Sequence, residues 1–149
     1  IALCILNKQK LKLQYSGANN PLYIFRDGKL IEYKPDKMPI GVYIKRINKT
    51  FKNNVISLES KDRIYIFSDG YHDQFGGQEA RKFLRYNFKK LLESIQPKDI
   101  SIQKNTLEEF HIKWRTCPDD CNDDVKEIYD NRGGVYEQID DILIIGVEI

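Results

Sequence analysis

Cysteine is scarce in this sequence. Cys4, Cys117 and Cys121 are an odd and sparse set, which excludes a disulfide-built scaffold and suits a reducing cytosol. The spacing CPDDC has no second Cys/His pair near it, so it reads as two free thiols in a loop rather than a zinc site. Long apolar runs are missing too. IALCIL at the start and ILIIGV near the end are far too short to cross a bilayer. IALCIL also lacks the basic leader and small-residue cleavage site of a signal peptide, and reads as a strand. Neither charge sign is in excess: 24 basic and 22 acidic residues leave a net +2, which gives no reason to expect nucleic acid. Methionine occurs once, at Met38, and the chain opens on Ile1 inside a strand-like run, which points to a piece of a longer protein. What is present is ordinary for a globular chain. With 41% apolar and 31% charged residues disorder is excluded, and the 149 residues are expected to form a single domain, 1–149.

The first half reads as strands joined by tight turns. IALCILN is followed by the turn NKQK and by KLKLQYS, with Leu11, Leu13 and Tyr15 alternating. Asp27-Gly28 between LYIF and LIEY is the strongest short hairpin signal in the chain. Pro35 and Pro39 bracket a loop into IGVYIKRI, and Asn53-Asn54 turns the chain before VISLES and RIYIFSDG. The period then changes. Ala80, Phe83, Leu84, Phe88, Leu91, Leu92 and Ile95 recur at three and four, which predicts an amphipathic helix over 79–96 that Pro97 ends. A second helix is expected over 101–115, with Leu107, Phe110 and Trp114 on one stripe. Residues 117–136 read as a long acidic loop holding a short helix, and QIDDILIIGVEI closes the chain as a strand. The sum is a β-rich α+β domain with a helix pair inserted late.

The stretch IYIFSDGYHDQFGG (64–77) raises the chemical question: an apolar strand delivers Asp69 at its end, and an unpaired buried charge costs several kcal/mol. IYIF and ILIIGV are apolar on both faces and are expected inside a sheet, covered on each side. Asp69 follows the first; Asp140 and Asp141 precede the second. If the strands are antiparallel neighbours, both carboxylate sets reach one end of the sheet, where they repel each other. A hard divalent cation removes that repulsion, and all-oxygen ligation suits Mg²⁺ or Mn²⁺. Gly70 permits a sharp turn and space beside the ion, and Asp73 returns to the site if the turn is one helical wind. The competing reading is plain turn chemistry: Ser-Asp-Gly is a common turn, and Asp-Asp before a strand caps a loop.

FSDGYHD (67–73) and QIDDILIIGV (138–147), with SGANNPLYIFRDG (16–28) upstream, resemble the metal-dependent Ser/Thr protein phosphatases of type 2C, in the stage II sporulation protein E branch. The resemblance covers nearly the whole chain. It implies an α/β/β/α sandwich of antiparallel sheets flanked by helices, of which this chain is the C-terminal part, and a centre of two Mn²⁺ or Mg²⁺ ions. It implies that Asp69 and Asp140 bind metal and serve catalysis, that Asp141 occupies the neighbouring position, and that Asp73 supports a weaker ion. A metal-activated water would then attack the phosphoserine or phosphothreonine phosphorus, with no nucleophilic Ser or Cys. By analogy the substrate is a phosphorylated regulatory protein of the anti-sigma-factor antagonist type, in bacterial signalling. An upstream sensor or membrane region would control activity, and this segment would be cytoplasmic.

Other features carry two readings each. Gly17, Asn19 and Asn20 line the site or form a turn. His72 is a general acid or an exposed loop histidine; His111 beside Phe110 is structural. Arg81, Arg85 and Lys89 are a solvated helix face or a dock for an acidic partner. DDCNDDVKEIYD lacks the ligand alternation and glycine of a calcium loop. An unrelated Mg²⁺ phosphotransfer domain would need an Asp-x-Asp nucleophile, which SDGYHD does not supply. The departure from the family is the earlier segment, an acidic residue followed by a Gly-His-Gly turn, which has no counterpart here. The alternative is therefore a catalytically inactive pseudophosphatase that acts as a protein-binding module. On the phosphatase reading that earlier segment lies ahead of Ile1, so the 149 residues alone are expected to bind Mn²⁺ weakly and to hydrolyse phosphate esters poorly, which a calorimetric Mn²⁺ titration of this chain checks; tight binding would refute it.

Overall fold

The computed structural model describes residues 1–41 and 49–149; the strand expected in IGVYIKRI falls mostly on residues outside these. The chain is a mixed α+β protein of antiparallel sheets and helices, divided into two compact units: 1–68 with 144–149, and 69–143.

The first unit is two sheets. Strands β1 (Ala2–Asn7), β2 (Lys12–Gly17) and β5 (Asn54–Ser57) form one, in the order β1-β2-β5. Strands β3 (Leu22–Arg26), β4 (Lys29–Tyr33), β6 (Arg63–Phe67) and β9 (Ile144–Glu148) form the other, in the order β4-β3-β6-β9. The Asp27-Gly28 signal holds: Arg26 pairs with Lys29, and both turn residues take positive φ, 48° and 73°. Leu13, Tyr15, Ile56 and Leu58 from the first sheet pack with Leu22, Ile24 and Ile64 from the second in one core. The alternate positions on the second sheet, Tyr23, Phe25, Tyr65 and Phe67, are also buried, and Tyr23 meets Phe67 with ring centroids 4.9 Å apart. Two-sided burial is why β3 and β6 read as unbroken apolar runs.

Two expectations need correction. Leu11 is not on the inward stripe of β2; it sits in the turn at φ 47° and is exposed. Among the described residues β9 is the outermost strand of its sheet rather than an interior one, and Ile145 remains 42% exposed. Apolar composition on both faces tells which faces can be buried, not what lies beside the strand.

A buried ion pair ties this unit together. Arg26, at the end of β3, donates from Nε and Nη2 to the two carboxylate oxygens of Asp62 at 2.9 and 2.6 Å, and Nη1 reaches Glu59 at 2.5 Å. The Glu59 N–H adds a third hydrogen bond to Asp62, and Arg26 Nη2 also donates to the Ser57 carbonyl. One guanidinium thus fixes the segment that passes from β5 in one sheet to β6 in the other. Burial pushes the Asp62 carboxyl up, but the Arg26 hydrogen bonds, the Glu59 N–H and the Arg26 charge together hold it below the usual carboxylate range.

The second unit holds the helices: α1 (Gly70–Asp73), α2 (Leu84–Ile95), α3 (Ile100–Arg115) and α4 (Asp123–Asp130), with a small hairpin of β7 (Phe75–Gly76) and β8 (Arg81–Lys82). The helix expected over 79–96 begins five residues late because β8 pairs with β7, and Ala80 and Leu84 take positive φ. Phe83, Phe110 and Trp114 pack against one another, so the predicted stripe of α3 is its inward face.

Asp62 is 1% exposed, so Asp62→Asn is expected to cost about 2–3 kcal/mol at pH 7 in urea unfolding, with Arg26 left short of its partner. Because the folded carboxyl sits below its unfolded value of about 3.9, its contribution is complete above that pH and is lost as pH falls through the folded value. The gap between parent and variant should therefore close below about pH 4.

Candidate metal centre

In the first unit β6 and β9 pair antiparallel, with Phe67 opposite Ile144. The C-terminal end of β6 and the N-terminal start of β9 therefore lie at the same end of that sheet, as the aspartate argument requires. The chain runs on from β6 through Ser68 to Asp69, and reaches β9 from Asp140 and Asp141.

Within the second unit these two segments meet. Gly70 follows Asp69 and opens α1; a Cβ built on it would lie 2.5 Å from the Asp141 carbonyl oxygen and 3.2 Å from that of Asp140. Its φ is not positive, so glycine is required here by close backbone approach, not by a turn conformation. The space at Gly70 is taken by the Asp140–Asp141 backbone rather than kept beside an ion. The single helical wind is present: the N–H of Asp73 donates to the Asp69 carbonyl at 3.0 Å.

The four aspartates are disposed differently. Asp69 holds the N-cap position of α1 but makes no side-chain capping bond, so its exposed carboxylate is left for other work. Asp73 is half-buried and pairs with Lys82 at 3.3 Å. Asp140 is exposed; its Oδ1 accepts the Asp141 N–H at 2.7 Å, and its carbonyl accepts from Gln138 Nε2. Asp141 is exposed at the side chain while its backbone lies on Gly70. The donor set is right in kind for a hard cation, being all carboxylate oxygen. Among the described residues, however, no three His, Cys, Asp or Glu side chains are gathered closely enough to hold an ion. These aspartates fit Mg²⁺ or Mn²⁺ as a partial ligand set.

His72 is not the exposed loop residue weighed above. It is buried on α1 with its ring 6.2 Å from Phe88, and burial first, the Arg85 charge second, hold its pKa below the ordinary value. A histidine kept neutral in the core is a poor general acid. His111 packs on Tyr71 at 5.3 Å, and it too is lowered by burial and then by Arg115. Gly17 ends β2, where a Cβ would collide with the Tyr15 hydroxyl and the Asn20 carbonyl; Tyr15 donates that hydroxyl to the Asn20 carbonyl at 2.7 Å, and the chain bends at Asn19 with φ 62°. Arg81 pairs with Glu79 at 3.1 Å on the surface, and the acidic run folds as α4 with Asn122 as its cap.

Sequence reasoning missed the supports of the site. Tyr71 donates its hydroxyl to the Leu107 carbonyl at 2.8 Å, pinning α1 to α3. Gln74 is fully buried; its Nε2 donates to the Glu137 carbonyl at 2.9 Å, and its own carbonyl accepts the Trp114 indole N–H. Gln74 so links the α1 segment to the strand of chain that delivers Asp140. The one available signal was Gly76-Gly77: both lie against Trp114, leaving no room for a Cβ. Gly70→Ala should cost about 1–3 kcal/mol of unfolding free energy, because the backbone it meets cannot swing aside as a side chain can. Urea unfolding checks this, and unchanged stability would refute the close approach.

No curated protein matches the chain significantly. Solved structures do. The SiaA-PP2C domain of Pseudomonas aeruginosa aligns at TM-score 0.77 and 21% identity, over 99% of this chain and 50% of that one. The phosphatase domain of SpoIIE from Bacillus subtilis, in a structure presoaked with Mn, aligns at 0.58 and 17% over 100% and 55%. The RsbU and RsbW domains of a Mycobacterium tuberculosis protein align at 0.54 and 16% over 99% and 35%. These likenesses establish the fold, and the chain spans about half the length of the first two. A family model described as Stage II sporulation protein E matches residues 1–148, and the chain belongs to that SpoIIE family.

Proposed function

We propose that the protein carrying this chain is a metal-dependent serine/threonine phosphatase acting on phosphoserine or phosphothreonine of a regulatory protein, and that Asp69 and Asp140 are its metal ligands. The carrying observation is the seating of Gly70 on the Asp140–Asp141 backbone, which brings the two aspartate-bearing segments together. Family membership and the Mn-presoaked relative support Mn²⁺ or Mg²⁺ as the cofactor. When bound, such ions lower the pKa of an attacking water and neutralise phosphoryl charge.

The chain's own contribution is placement and charge. Asp69, uncommitted to helix capping, and Asp140, oriented through its bond to the Asp141 N–H, would hold the cation. Asp141 would add an oxygen donor, and Asp73 would serve a weaker position once released from Lys82. Gln74 ties the Asp69 segment to the chain that leads into Asp140, and Tyr71 pins α1 to α3. The proposed substrate is of the anti-sigma-factor antagonist type, with control from an upstream sensor or membrane region and a cytoplasmic location. Among the described residues no helix is long and apolar enough to cross a membrane. A second reading is a pseudophosphatase that signals by protein contact.

In the intact protein, Asp69→Asn and Asp140→Asn should each lower Mn²⁺-dependent hydrolysis of a phosphoserine protein by about a hundredfold or more. Full turnover by both would overturn the assignment. No Mn²⁺-dependent turnover by the parent would favour the pseudophosphatase. Without metal the effect on stability should reverse: removing one carboxylate relieves repulsion, so the metal-free variants should melt no lower than the metal-free parent.

A further inference from the structure

The CPDDC stretch plays no part in the metal reading, yet the fold brings its two sulfurs together. Cys117 Sγ and Cys121 Sγ lie 3.3 Å apart in the turn between α3 and α4. Two backbone features hold them there. Cys117 belongs to a short ladder in which its N–H donates to the Gly134 carbonyl at 3.0 Å and the Tyr136 N–H donates to the Arg115 carbonyl at 2.9 Å. Cys121 is folded back by its own N–H bond to the Pro118 carbonyl, immediately before Asn122 caps α4. Both sulfurs are half-buried against the cluster of Val125, Tyr129 and Tyr136, so they are placed by packing yet still open to a small oxidant. Cys4 differs: it lies in the other unit, and burial pushes its thiol up to about 11.

We propose that Cys117 and Cys121 form a peroxide-sensitive thiol pair that closes to a reversible disulfide across the α3–α4 turn. The chemistry takes two steps and needs a hydroperoxide as the oxidant. In the first, the Cys121 thiolate attacks a peroxide oxygen; the O–O bond breaks, hydroxide leaves, and the sulfur becomes a sulfenic acid. In the second, the Cys117 sulfur attacks the sulfenic sulfur. The S–O bond breaks, and the departing hydroxide takes the Cys117 proton and leaves as water. Overall two thiols are oxidised, and hydrogen peroxide is reduced to two waters. Cys117 is assigned the second step because its contact with Cys121, then its own desolvation, raise its pKa above the ordinary thiol value, which disfavours it as the first nucleophile. Forming the bond closes the sulfurs from 3.3 Å to about 2.05 Å.

Trypsin would release residues 116–126, which contain both cysteines, as one peptide. After hydrogen peroxide treatment of the intact protein and blocking of remaining thiols, that peptide should weigh less by two hydrogens and carry no blocking group. Dithiothreitol should restore two alkylatable thiols, while Cys4 stays alkylatable throughout. In Cys117→Ser the sulfenic acid should persist on Cys121 and be captured by dimedone. The proposal is overturned if the parent peptide keeps both thiols after peroxide, if it gains oxygens as a sulfinic acid instead, or if either sulfur links to another chain. The parent measurement decides alone, so a variant that fails to fold does not rescue it.

Discussion

Antiparallel pairing of β6 with β9, with Phe67 opposite Ile144, is the constraint on which the rest of the site depends. Asp69 and Asp140 are 71 positions apart in sequence, and loop closure over such a span has no local cause. The ladder supplies one: it anchors the end of one strand and the beginning of the other at a single level of the sheet. A slip by one residue would turn Tyr65 and Phe67 to the face that Ile64 now occupies, and the core would resist it. Register is therefore held by burial. The Arg26–Asp62 pair does related work at the other end of β6, where Arg63 follows Asp62 directly and pairs with Glu148 of β9 at 2.6 Å.

In the second unit the decisive contacts are between backbone and side chain rather than between side chains. Gln74, Tyr71 and Trp114 each spend a polar group on a carbonyl far along the chain. A donor taken out of water is costly to leave unpaired, so these three bonds also select where the chain runs. The same residues bury aromatic surface: Tyr71 meets Phe83, Phe88 and His111. Polar satisfaction and packing therefore favour the same arrangement of α1 against α3.

Features set by neighbouring residues could be read in the sequence. The Asp27-Gly28 hairpin follows from turn chemistry, and the stripe of α3 from spacing. The two aspartate segments were legible for a similar reason, since an acid at the mouth of an apolar strand is a local anomaly. Features set by distant partners could not be read. The spacing of Ala80 and Phe83 imitated a helix, although a two-residue strand pairing claims that stretch. The outer position of β9 depends on which strand is its neighbour, and its own residues do not record that. The burial of His72 and the role of Gln74 depend on partners contributed by α2 and by residue 137.

Trp114 is the chain's sole tryptophan, half-buried and held by several partners. It donates to the Gln74 carbonyl, lies edge-on to Phe83, stacks with Phe110, and has Gly76 and Gly77 against it. The molecule thus carries an optical gauge at the junction that sets the aspartate segments. Any loosening of that junction would let more solvent reach the ring and redden its emission, with no added dye or label.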